Sequence, residues 1–174
     1  MSWTLICAAI AFLIYMIYNA IVLKQFGIPN SLSDTYYLYQ AKKPWMRFLF
    51  PIMMFSIVAL LMPAWLEISA FSNLQFLAFL AAGSIAFTGA APAFKGNVME
   101  STIHSVSAIG AAIFSLAWII FVSKTWILII IWFITFIVIS LLTKSLNRAR
   151  IYWLENVAFF STFLSIIFTS IFIV

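Results

Sequence analysis

The sequence predicts an all-α transmembrane bundle of about six spans, folded as a single domain over residues 1–174. Three observations carry that expectation. Hydrophobic residues make up 66% of the chain and charged residues only 7%, whereas a soluble domain carries roughly 25% charged residues. Apolar runs approach the ~20 residues that a helix needs to cross the hydrocarbon core. These runs are apolar on every face, while barrel strands alternate apolar and polar residues.

The predicted spans are Trp3–Leu23, Phe48–Leu66, Leu74–Ala91, Thr102–Val122, Trp126–Leu142 and Val157–Val174. No polar stretch is long enough for a separate soluble domain. Cys7 sits inside the first apolar run and reads as a buried apolar filler. The residues before it lack the positive charges of a secretory signal, so the first span is expected to be retained.

The first connection is the longest. Gly27-Ile28-Pro29-Asn30 signals a turn, and Ser31-Leu32-Ser33-Asp34 reads as a helix start, with Ser31 as N-cap and Asp34 in the first turn. Tyr36, Tyr37, Tyr39 and Trp45 are mixed with Lys42, Lys43 and Arg47. That mixture suits a short interfacial segment over residues 31–46, acting as an anchor.

The third and fourth spans are rich in small residues. Ala81-Ala82-Gly83-Ser84, Gly89 and Ala90 face a stripe of Ser101, Ser105, Ala108 and Ala112. Such stripes let helix backbones approach closely, so these two spans are expected to form a tight hairpin. The Phe-, Ile- and Leu-rich spans are expected to face lipid.

With six spans, 8 of the 9 basic residues fall on one side, and Lys124 alone falls on the other. The positive-inside rule makes that side cytoplasmic and sends both termini outward, as in a bacterial-type inner membrane. The net charge of +5 flanks apolar spans without any nucleic-acid-binding motif, so no nucleic-acid partner is expected.

Ionisable residues near a bilayer are costly, so their positions carry information. Asp34, Glu100, His104 and Glu155 all fall at the same end, and Glu67 at the other. Glu100 and His104 are four residues apart, on one helical face. A carboxylate there would orient the imidazole for proton transfer, which makes His104 and Glu100 the catalytic candidates. Asp34 and Glu155 would add further carboxylates. Lys95, Arg148 and Arg150 would hold a phosphate or lipid headgroup. The candidate binding set is therefore Asp34, Lys95, Glu100, His104, Arg148 and Glu155. No cofactor is expected; the alternative, a divalent metal at His104 and Glu100, would need Asp34 and Glu155 to complete its ligands, and a zinc hydrolase usually has two or three histidines. Phosphate-binding glycine loops, nucleophile elbows and His-Glu-x-x-His are absent from the sequence.

Three stretches together carry a family resemblance: Ser33-Asp34-Thr35, Phe94-Lys95 with His104, and Trp153-Leu154-Glu155-Asn156. In this order they resemble the six-span family of DRAM-like and FRAG-like membrane proteins. The chain also looks like small uncharacterised membrane proteins of gut bacteria and their phages. The resemblance would carry over Asp34, Lys95, His104 and Glu155, and it implies lipid-related or membrane-regulatory roles. Here Ala93-Phe94-Lys95 stands where the family has Asn-Phe-Gln. The resemblance also implies that the Ser-Asp-Thr loop lies away from the cytosol, opposite to the charge count.

Three functions are weighed on this basis, and whether the chain is an enzyme is left open. The leading one is binding of membrane lipid, or of a membrane-protein partner or second copy, through the polar end of the bundle. The second is an intramembrane lipid-modifying hydrolase using His104 and nearby carboxylates. The third is a small channel or transporter.

Overall fold

A computed structural model describes residues 3–70, 72–142 and 149–172. Helices α1 Trp3–Phe26, α2 Thr35–Lys42, α3 Leu49–Ser69, α4 Gln75–Ala90, α5 Val98–Trp118, α6 Trp126–Leu142 and α7 Arg150–Phe172 follow in order. A 3-10 turn, Pro44–Phe48, leads into α3, and a π-turn, Ile119–Ser123, extends α5. No strand occurs among the described residues. In lipid the backbone must bond to itself, and helices satisfy that within each segment.

Among the described residues, four helical stretches are long and apolar enough to cross a membrane: Trp3–Phe26, Pro44–Ser69, Val98–Ser123 and Arg150–Phe172. Helix α4 has 16 residues and α6 has 17. At 1.5 Å per residue both fall somewhat short of a core about 30 Å thick.

Several predicted boundaries move. The first helix runs on to Phe26, where Gly27 adopts φ 71° and donates its N–H to the Leu23 carbonyl at 3.0 Å. That left-handed residue ends the helix at no Cβ cost. Helix α5 starts at Val98 rather than Thr102, because the Asn97 side chain accepts from the Met99 N–H at 2.8 Å and caps it. Helix α7 starts at Arg150 rather than Val157, which places Glu155 and Asn156 well inside it. Ser31 is not the cap of α2. Asp34 holds that position, and the Ser31 hydroxyl accepts the Asp34 N–H at 3.0 Å one turn earlier.

The segment over residues 31–46 is more than a surface anchor. Leu32, Ser33, Asp34, Thr35, Tyr36 and Tyr39 are buried, so the loop plugs one end of the bundle. Lys42, Lys43 and Trp45 remain exposed.

Helix α3 is central, packing on α1, α4 and α7. The interface of α4 with α5 is the most extensive, as the small residues predict. The packed stripe of α5 differs from the predicted one. His104, Ser107, Ser115 and Trp118 are buried, while Ser105 is exposed. Thr88 donates to Ser107 across the pair at 3.0 Å. Helix α6 has no buried residue among those described, and Ile127, Ile130, Ile131, Phe133, Ile134 and Ile137 are exposed.

Helices α1 and α7 are locked by a reciprocal clamp. The Tyr15 hydroxyl donates to Asn156 Oδ1, and the Tyr152 hydroxyl donates to Asn19 Oδ1, both at 2.8 Å. Each asparagine in turn donates to the carbonyl of the tyrosine four residues earlier on its own helix. At the opposite end of the bundle, Trp118 Nε1 donates to Ser69 Oγ at 2.8 Å, and Thr4 donates to Glu67.

Candidate functional site

The site is built on the loop from Asn30 to Thr35, which α7 and α1 hold in place. Tyr152 of α7 donates its backbone N–H to the Asn30 carbonyl at 3.1 Å. The Leu32 N–H donates to a carboxylate oxygen of Glu155. The Thr35 hydroxyl donates to the Leu32 carbonyl and so accepts from Tyr18 of α1. A loop that enters the end of a bundle must satisfy its backbone there, and these bonds do so.

Asp34 is held from two directions. Asn30 Nδ2 donates to one carboxylate oxygen at 3.1 Å, and Lys95 Nζ pairs with the other at 2.7 Å. The Lys95 ammonium also lies 4.9 Å from the centroid of the Tyr37 ring. The Lys95 backbone N–H donates to the Tyr37 hydroxyl at 2.6 Å. The connection between α4 and α5 is thereby pinned to α2. Half of the Lys95 side chain remains exposed.

His104 sits beneath that connection. Its Nδ1 lies 2.9 Å from the Ala91 carbonyl, and its Nε2 lies 3.0 Å from Ser33 Oγ. A carbonyl only accepts, so Nδ1 carries the proton. In the neutral ring Nε2 is then the acceptor for the Ser33 hydroxyl. Phe94 stacks on the imidazole with centroids 4.4 Å apart and the planes at 18°. The ring's orientation is therefore fixed on both edges and one face.

A cavity of about 250 Å³ opens beside this network. Phe50, Met54 and Leu61 of α3, Ile85 of α4, Ala108 and Ala112 of α5, and Ala158 and Thr162 of α7 line it. Its polar end is formed by Ser33 and Glu155. The exposed Ile109, Ile151 and Leu154 also line it, so its mouth lies between α5 and α7 and faces sideways.

Four of the six predicted binding residues, Asp34, Lys95, His104 and Glu155, gather around this loop. Glu100 lies one turn from His104, but Ala91 and Ser33 occupy both ring nitrogens, so Glu100 does not orient the imidazole. Arg148 lies outside the described residues. Among the described residues no group of three or more His, Cys, Asp and Glu side chains is arranged to hold a metal. Sequence reasoning missed Ser33, Tyr37 and the Ala91 carbonyl as parts of the site. The Ser-Asp-Thr stretch contains the signal for Ser33, but nothing local indicates that the loop turns inward. Comparison with family models, curated proteins and solved structures finds no match to this chain.

Proposed function

We propose that this protein is a multi-pass membrane protein that binds a membrane lipid, with an acyl chain in the lateral cavity and its polar group at Ser33 and Glu155. The cavity carries this reading. Apolar cavities of about 150 Å³ already take up benzene-sized molecules, and this one, at about 250 Å³, has a polar end and a side entrance between α5 and α7. A chain arriving from the bilayer would enter without crossing water. Lys95, paired with Asp34, and Arg150, next in sequence to the lining residue Ile151, suit an anionic headgroup.

Six spans, a bacterial-type inner membrane and a cytoplasmic polar end with both termini outside belong to the same proposal. The charge bias of the loops supports them. Kinship with the DRAM-like and FRAG-like proteins is supported by the convergence of Asp34, Lys95, His104 and Glu155, the positions that the resemblance would carry over.

The test is native mass spectrometry of protein purified in mild detergent. The wild type retains an acyl lipid, and Ala112→Phe or Ala158→Phe, which fill the cavity, abolish its retention at unchanged thermal stability. Equal retention by the filled variants would overturn the reading.

A further inference from the structure

We propose that Ser33 and His104 form a nucleophile–base pair that cleaves an acyl ester of the lipid held in the cavity. The inference rests on the lipid-binding reading above and adds a reaction to it. The geometry runs in one line. Ser33 lines the polar end of the cavity, whereas His104 does not and stands behind it. The Ser33 hydroxyl meets Nε2 at 3.0 Å, and Nδ1 meets the Ala91 carbonyl at 2.9 Å. An activated serine needs a base within hydrogen-bond reach and a third group that fixes the base's tautomer. Here a backbone carbonyl takes the place that a carboxylate fills in the familiar triads. Both side chains are buried, with Ser33 at 3% and His104 at 6% exposure, so their neighbours hold the pair in place. Tyr152, Glu155 and Thr35 hold the loop that carries Ser33, so the nucleophile sits on a fixed support rather than a loose tip.

The substrate class is a long-chain acyl ester, chain in the cavity and carbonyl at Ser33. Ser33 Oγ attacks the carbonyl carbon, and the hydroxyl proton passes to His104 Nε2. The bond from that carbon to the alcohol oxygen then breaks, and Nε2 returns the proton to the departing alcohol. Water attacks the acyl-Ser33 carbonyl and gives its proton to Nε2. The fatty acid leaves, and Ser33 regains its proton. The sum is ester plus water to acid plus alcohol.

The test uses a long-chain alkyl fluorophosphonate on the full chain in mild detergent, with the adduct located by peptide mass spectrometry. Retained lipid is measured on the same samples. The expected result is an adduct at Ser33, absent in Ser33→Ala. In His104→Gln the labelling rate should fall by about 100-fold or more, the range for a lost general base. Lipid retention should be unchanged in His104→Gln, because His104 does not line the cavity. No adduct at Ser33 in protein that retains its lipid overturns the nucleophile and leaves the binding reading standing. Equal labelling of His104→Gln overturns the role of the base. Loss of both lipid and adduct in the wild type overturns both readings.

Discussion

Ser33 Oγ and His104 Nε2 lie 3.0 Å apart although 71 residues separate them in the chain. The contact exists because two connections, residues 27–34 and 91–97, fold over the same end of the bundle. Each is pinned by bonds that involve the other's neighbours. Asp34 holds Lys95, and Tyr37 holds the Lys95 backbone. What a substitution does at this end depends on whether it leaves a buried group without a partner.

Glu155 illustrates this. Its carboxylate accepts the Leu32 N–H inside the bundle. Glu155→Gln keeps an acceptor oxygen and should fold with nearly wild-type stability. Glu155→Leu strands the N–H and should cost about 1–3 kcal/mol. Thermal unfolding in detergent, read by tryptophan fluorescence, separates the two variants. Equal loss in both would show that charge, rather than acceptance, holds the loop.

The clamp between α1 and α7 predicts measurable coupling. A double-mutant cycle of Tyr15→Phe with Asn156→Leu should return a coupling energy of about 0.6–1.7 kcal/mol, the range for hydrogen bonds between membrane helices. The single Asn156→Leu variant should lose more than Tyr15→Phe, because Asn156 also donates to the Tyr152 carbonyl at 2.7 Å. Additive losses would remove the clamp from the account of stability.

Two glycines of α4 should behave in opposite ways. A Cβ at Gly89 would lie 2.9 Å from the Cβ of Met54 on α3, whereas one at Gly83 would meet nothing within 4 Å. Gly89→Ala should destabilise by about 1–3 kcal/mol through overpacking. Gly83→Ala should be neutral or stabilising by up to about 1 kcal/mol, since alanine favours the helix. Midpoints of thermal unfolding rank the pair, and similar midpoints would contradict the close approach of α3 and α4.

Left-handed backbone supplies another contrasting pair. Gly27 and Lys124 have φ of 71° and 57°. A side chain in that region costs roughly 1–2 kcal/mol. Gly27→Ala should therefore lower stability, and Lys124→Gly should raise it by about 1 kcal/mol, again as shifts in unfolding midpoint. A drop in the midpoint of Lys124→Gly would mean that the lysine side chain contributes more than the strain costs.

Composition and period made the all-helical class legible, because helix is what unbroken apolar runs become in lipid. The tight pairing of α4 and α5 was legible in their small residues. The register of that pairing was not. Ser105 lies in the small-residue stripe yet is exposed, while the bulkier His104 is buried, because a loop from elsewhere in the chain supplies the ring with Ser33. The ends of α5 and α7 were missed for a related reason. Asn97 caps a turn that looks polar, and polar Tyr152, Glu155 and Asn156 look like a helix flank until α1 and the Ser33 loop provide their partners. The convergence of Asp34, Lys95, His104 and Glu155 was legible as residues at one end. Their roles depend on long-range contacts that spacing does not encode.

The central claim is that an acyl chain occupies the lateral cavity, and photolabelling tests it most directly. A phospholipid with a diazirine at the middle of one chain would be crosslinked to the protein in membranes and the adducts mapped by mass spectrometry. The account predicts adducts on the cavity-lining residues of α5 and α7, around Ala108–Ala112 and Ala158–Thr162, lost in Ala158→Phe. Adducts confined to the outward faces of α6, with none in the cavity, would contradict it.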